Sequence, residues 1–392
     1  MNKIVKRILI TTGVVLGCVV LAAGGYVVYV IASYNRIGDQ ALTVDAKAKS
    51  DKVVAGETYT AVSYNIGFGA YSQDYTFFMD TGYDDAGNPT CGHYGKAKSK
   101  EAVEFNTSGA VNAVKKESPD FVMFQEVDTR STRSYSINQD ERIMNAFADY
   151  DHVHCVNFHT AFLPYPLYDM HGEVHAGLTT LSRVKITAAE RKQYTVADSL
   201  SKLFDLDRCF STHKIAVDNG KNLYIVNSHM SAYDEGGTIR EKQVAEMNAF
   251  LKSVKDSGDY VIVGGDFNHD LLTYNPEFAY TSDAGHRAFG MTKKTPDWVS
   301  FYFNKEGKSP LIDGFKVVAS DNHPSCRNND IEYDPAKSFV CLVDGFIVSD
   351  NIEVVAHETV QTMDTRAEHG NKGYPGFAYS DHDPVKVQFK LL

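Results

Sequence analysis

Residues Ile8–Ala32, ILITTGVVLGCVVLAAGGYVVYVIA, carry no charge, and no other segment restricts the chain's structure so strongly. As a helix the run reaches about 37 Å at roughly 1.5 Å per residue, enough to cross a hydrocarbon core of about 30 Å with some tilt. A cleaved signal peptide is the main rival, but its apolar region is about 7–15 residues long and ends at a small-x-small site. The longer run here favours an uncleaved anchor. Lys3, Lys6 and Arg7 precede it and only Arg36 follows closely, so the positive-inside rule puts the N-terminus in the cytoplasm and the remainder outside. Cys18 follows Leu16-Gly17, a setting that raises lipid attachment, yet the apolar stretch after it is one that a lipid-anchored N-terminus does not need. The expectation is a single-pass protein of the cell membrane with an extracytoplasmic domain.

The 392 residues suffice for one large domain or two ordinary ones, and 43% hydrophobic with 23% charged residues is a globular composition. The net charge is −11; removing the +3 of residues 1–40 (Lys3, Lys6, Arg7 and Arg36 against Asp39) leaves −14 on the rest. Such a surface repels a polyanion on average, which weighs against duplex DNA without excluding a local basic groove. Five cysteines, at 91, 155, 209, 326 and 341, follow the run. They are too few to define a stapled scaffold, and neither CxxC nor a Cys/His zinc spacing is present.

Residues 36–56 read as a juxtamembrane linker between the anchor (1–35) and a domain over 57–392. Within that domain short apolar strands alternate with helical stretches: Tyr59–Tyr64, a helix over Thr107–Lys116, then Phe121–Phe124. Later come Leu223–Asn227, a helix over Ile239–Val254, Tyr260–Val263, Val343–Val348 and an alternating final strand, Val385–Phe389. This is α/β order. Tyr71–Lys100 and Asp270–Pro296 read as long surface loops.

Polar residues sit at the ends of these strands: Asn65, Glu126, His229, Asp266 with Asn268, and Asp381-His382. Singly, each has a plain explanation, since Asn and Asp start turns and Glu caps helices. Jointly they form a set suited to phosphoester hydrolysis. Carboxylates hold a hard cation such as Mg²⁺, while amides and imidazoles bind phosphate oxygens without competing for the metal.

NIG at Asn65, QEV at Glu126, HAGLTTLSR from His175, SHM at His229, GGDFN at Gly264–Asn268, DGFIVS at Asp344 and SDHDPV at Ser380–Val385 stand in order. Together they resemble the endonuclease/exonuclease/phosphatase superfamily of pancreatic deoxyribonuclease, abasic-site endonucleases, sphingomyelinases and inositol-polyphosphate phosphatases. The resemblance covers about Thr58 to Phe389, and GDFN followed by SDHxPV is its most specific part. It implies a four-layer α/β sandwich with two facing mixed sheets and the site on one rim, here preceded by the transmembrane helix.

The resemblance also implies roles. Glu126, Asn65 and Asp381 would hold Mg²⁺ or Mn²⁺. Asp266 would orient and deprotonate the attacking water, and Asn268 would hold the phosphate. His382 would contact the phosphate, held in place by Asp344, and His229 would contact the phosphate or protonate the leaving group. Arg208 sits where some members place a phosphate-binding residue, with a solvated surface charge as an equal alternative. His175 is ambiguous in the same way, and His269, next to Asn268, reads as part of the following loop.

The expected function is a divalent-metal-dependent phosphodiesterase acting outside the membrane on a phospholipid or nucleic acid, with no obligate protein partner. The place of the Cys-Asp-Arg run of inositol phosphatases is taken here by Leu342-Val343-Asp344-Gly345, which argues against that branch. Tethering suits a phospholipid substrate, although no aromatic lipid-inserting hairpin is evident; the aromatics of Tyr71–Phe78 are candidates to line a pocket. A non-catalytic binding module on the same fold is the alternative class.

Overall fold

The computed structural model of the chain describes residues 2–198, 206–232, 238–271, 289, 296, 298–299, 309–364, 366 and 370–392. The uncharged run lies within helix α1 (Lys3–Ser33), capped by the Asn2 side chain and burying only Val30. It is long and apolar enough to cross a membrane.

Next come β1 (Gln40–Ala41), β2 (Tyr59–Asn65), the small hairpin β3 (Thr81–Tyr83) and β4 (Pro89–Cys91), α2 (Lys100–Lys116), β5 (Phe121–Asp128) and α3 (Gln139–Ala146). They are followed by β6 (Asp151–Leu163), β7 (Gly172–Ser182), β8 (Ile186–Gln193), β9 (Cys209–Ala216) and β10 (Asn222–His229). Then come α4 (Thr238–Ser257), β11 (Tyr260–Asp266), β12 (Phe315–Val318), β13 (Cys326–Arg327) and β14 (Val340–Cys341). The last strands are β15 (Asp344–Ser349), β16 (Ile352–Thr359) and β17 (Val385–Leu391).

Two mixed sheets form, ordered β1-β8-β9-β10-β11-β15-β12 and β16-β17-β2-β5-β7-β6. Each holds one parallel pair, β10–β11 and β2–β5, and each pair is joined by a helix, as a parallel return requires. Alternation along the strands sorts side chains to two faces. On β5, Phe121 and Met123 pack between the sheets with Ile215, Ile225, Ile262 and Phe346. Val122 and Phe124 pack instead with Ala110 and Val114 of α2. On β11, Val261 and Val263 meet Val244, Met247 and Leu251 of α4. The layers are therefore helix, sheet, sheet, helix, the expected four-layer sandwich.

This topology collects the strand-end residues. Asn65, His229 and Asp266 close β2, β10 and β11, and Glu126 stands near the end of β5. β15 and β17 run antiparallel to their neighbours, so Asp344 at the start of β15 and Asp381-His382 just before β17 reach the same rim. Brought together there are the carboxyl ends of both parallel pairs, the usual place for a site in open α/β sheets.

Two stretches differ from expectation. Residues 36–56 lie along the domain: Gln40 and Ala41 pair with Arg191 and Glu190, and Val53 bridges to Val217 and is fully buried. Tyr71–Lys100 is a surface loop only in its middle, where 84–89 are exposed, while Tyr71, Tyr75, Phe77 and Ala97 form a core with Phe68 and Val103. Most of Asp270–Pro296 lies outside the described residues.

Candidate active site

The rim opens into a cavity of 550 Å³ whose floor carries Glu126, His229, Asp266, Asn268, Asp381 and His382. Backbone devices put them there. Gly265 has φ +154°, and a Cβ at this position would lie 1.9 Å from the Ser228 carbonyl oxygen on β10, so β11 needs glycine to bring Asp266 to the rim. Glu126 adopts φ +55° within a register shift between Phe124 and Val127, a bulge of the kind that re-aims a side chain. Asn268 is also left-handed, at φ +50°. Its backbone N–H donates to Asp266 Oδ1 (2.9 Å) and its Nδ2 to the Met230 carbonyl (2.9 Å).

Asp344 Oδ2 bonds His382 Nδ1 at 2.7 Å and accepts from Ser325 Oγ at 2.7 Å. With Nδ1 engaged, His382 Nε2 is the nitrogen left to face Asp266, 3.8 Å from its Oδ2. His229 Nε2 stands 3.5 Å from the same oxygen, and Asn65 Nδ2 donates to it at 3.1 Å and to Glu126 Oε1 at 3.3 Å. Asp266 is thus the hub of the cluster.

Electrostatics divide the roles these groups can take. Burial, reinforced by the charge of Asp344, pushes the Asp266 carboxyl up to about 7. Burial alone would lower His382, but the surrounding carboxylates, Asp344 foremost, outweigh it and hold the ring well above the usual imidazole range. His229 is driven well below that range by burial and by the charges of Arg208 and His382, so it is a neutral imidazole. Glu126 is raised by burial and by Asp381, against the opposing charge of Arg133. The site therefore combines a ring that favours its cation, a ring that favours its neutral form and, in Asp266 and Glu126, two carboxyls that burial raises.

The donor set suits a hard divalent cation. Glu126 accepts from Asn65, and Asp381 from Asn329 Nδ2 (2.8 Å) and Ser380 Oγ (3.1 Å); among the described residues no cationic side chain lies within ion-pair distance of either. Two carboxylates facing one cavity with no direct ion pair among the described residues suit a hard metal ion. Asp266, Asp344 and His382 also offer ligand atoms within 4.8 Å of one another, but Asp344 and His382 are already bonded to each other. Asn65 turns its nitrogen toward Glu126, its oxygen accepting from the Gly67 N–H at 3.0 Å; it braces the carboxylate more directly than it offers a ligand.

Arg208 is only 2% exposed, and its Nε and Nη1 have no partner among the described residues. The surface-charge alternative is thereby removed. His175 instead contacts Glu173 and Arg130 away from the cavity. Among the lining residues that sequence reasoning missed are Arg133, forked onto Asp128 (3.1 and 2.9 Å); Arg327, buried, its Nε and Nη1 without a partner among the described residues; and Asn329, between Asp80 and Asp381. No local pattern marks a buried arginine. Tyr71, Phe77 and Phe78 line the cavity as the sequence suggested.

No curated protein matches the chain. Among solved structures it is similar to ANGEL2, a 2',3'-cyclic phosphatase in complex with adenosine-2',3'-vanadate, at 13% identity over 89% of this chain and 98% of that one, TM-score 0.51. It is similar to Danio rerio (D. rerio) TDP2 complexed with single-strand DNA product at 13% identity, covering 85% and 99%, TM-score 0.49. An endonuclease/exonuclease/phosphatase from Beutenbergia cavernae aligns at 14% identity, covering 85% and 72%, TM-score 0.47. The sequence profile of the Endonuclease/Exonuclease/phosphatase family matches residues 62–382, most of the domain and every floor residue described above. The chain belongs to that family, whose members are metal-dependent phosphoesterases.

Proposed function

We propose that the protein is a divalent-metal-dependent phosphodiesterase acting outside the cytoplasmic membrane, with α1 as its anchor and residues 57–392 as its catalytic domain. The observation that carries this reading is the convergence on Asp266 of His229 and His382, beside two carboxylates, Glu126 and Asp381, that make no direct ion pair among the described residues.

In this reading Glu126 and Asp381 hold Mg²⁺ or Mn²⁺, with Asn65 bracing Glu126. The bound cation neutralises charge developing on the phosphate. Asp266 orients the attacking water and takes its proton, helped by its proximity to a cationic ring. His382, fixed by Asp344, donates Nε2–H to a phosphoryl oxygen, and Asn268 and the unpartnered N–H groups of Arg208 hold the others. His229 serves the leaving-group side.

The test is hydrolysis of bis-p-nitrophenyl phosphate by the full chain with Mg²⁺, with Mn²⁺ and with chelator. Turnover should require cation, and Asp266→Ala or His382→Ala should lower kcat by about 10²–10³-fold or more while leaving the fold intact. Near-normal activity in either variant would defeat the site assignment.

A further inference from the structure

Outside α1, exposed apolar side chains concentrate at the connection from β6 to β7, Phe162-Leu163-Pro164-Tyr165-Pro166-Leu167-Tyr168-Asp169-Met170. Tyr165, Leu167 and Tyr168 are 59%, 75% and 65% exposed. The tip is nevertheless held in shape. The Tyr168 hydroxyl donates to the His93 carbonyl (2.8 Å) and its ring stacks on His93, while Asp169 accepts from the Gly95 N–H at 2.9 Å. A shaped surface of this composition is built to be covered.

The covering medium follows from α1. Tyr26 Oη donates to the Phe162 carbonyl (2.8 Å), and the Phe162 N–H donates to Tyr29 Oη (3.3 Å). Both tyrosines belong to the uncharged run, where ring hydroxyls near a helix end suit the headgroup level of a bilayer. Phe162 therefore lies beside the last turns of that run, and a bilayer that takes up α1 meets the tip as well. The same connection also walls the cavity: Leu163 and Tyr165 line it with Phe78 and Met79, above the floor of Glu126, Asp381 and His382. The cavity is thus apolar where it nears the tip and charged at its base.

We propose that the 162–170 tip docks on the bilayer holding α1, and that the substrate is a lipid phosphodiester from that leaflet, its acyl portion against Leu163, Tyr165 and Phe78 and its phosphate on the floor. The substrate half rests on the phosphodiesterase reading; the docking half does not.

The full chain is reconstituted into vesicles of phosphatidylcholine, phosphatidylethanolamine, phosphatidylglycerol and sphingomyelin in equal parts. With acyl-brominated lipids, Leu167→Trp fluorescence should be quenched at least about twofold more than that of the parent, which carries Trp298 alone, or of Lys221→Trp on the opposite rim. Equal quenching in all three overturns docking. In the same vesicles, Leu167→Asp with Tyr168→Asp should lower release of phosphorus-containing headgroups about tenfold or more and leave bis-p-nitrophenyl phosphate turnover within about twofold. Unchanged release, or an equal loss on both substrates, overturns lipid access through the tip. A parent that cleaves bis-p-nitrophenyl phosphate but releases nothing from vesicles rules out the lipid substrate alone; a parent that cleaves neither removes the catalytic reading, and quenching still decides docking.

Discussion

A single carboxylate governs how His382 can act. Asp344 fixes the ring through Nδ1 and is itself held by Ser325 Oγ, whose oxygen also accepts from the Val343 and Asp344 backbone N–H groups (both 3.0 Å). Asp344→Asn keeps the shape but removes the charge that favours the protonated ring. We expect kcat on bis-p-nitrophenyl phosphate to fall by about 10²–10⁴-fold with a smaller change in KM; a change confined to KM would mean that Asp344 serves binding only. The floor residues were legible in the sequence because each follows an apolar strand that alternation or composition reveals. Arg133 and Arg327 were not legible as site residues, and Arg208 was legible only as a candidate set against a solvated surface charge. An arginine is normally solvated, and only the three-dimensional arrangement shows that these three are buried around one cavity.

At the scale of elements, strands flanking the motifs were found with ends short by a few residues, since polar rim residues interrupt their apolar runs. β6 was not found. Its bulges between Val156 and Phe158 and between Thr160 and Leu163 break the period of two on which recognition depends. The same irregular strand leads into the apolar tip, so the hairpin that the sequence did not display emerges only with the fold. β6 also carries Cys155, whose Sγ lies 3.7 Å from that of Cys209 on β9 in the facing sheet. If the domain lies in an oxidising compartment, we predict a disulfide there, closing a loop of 54 residues and stabilising the sandwich by about 4 kcal/mol. Thiol counting in denaturant checks this: Cys155→Ser should raise the count by one, because it frees the Cys209 thiol, and a fall by one relative to the parent would refute the disulfide.

The whole molecule hides neutral histidines, which makes its stability depend on pH in a stated direction. His213 on β9 is fully buried, its Nδ1 bonded to the Ile225 carbonyl (2.9 Å), and burial pushes its pKa down to about 4. His171 beside the cavity is pushed down to about 3 by burial and by Arg133. An unfolded chain has such rings near about 6.5, so between that value and the folded one the unfolded state binds more protons. The stability these rings contribute is therefore complete above about pH 6.5 and is lost as pH falls toward the folded pKa. For His213 the loss amounts to about 3 kcal/mol between pH 7 and 4. His213→Asn retains a donor for Ile225 and removes the titration. In urea unfolding of the full chain in detergent, the variant should be the less stable at pH 7, and its deficit relative to the parent should shrink by about that amount at pH 4. A deficit constant across the range would mean that His213 is not the buried neutral group the sheet encloses, and would leave acid sensitivity to the carboxylates that are ion-paired in the native state.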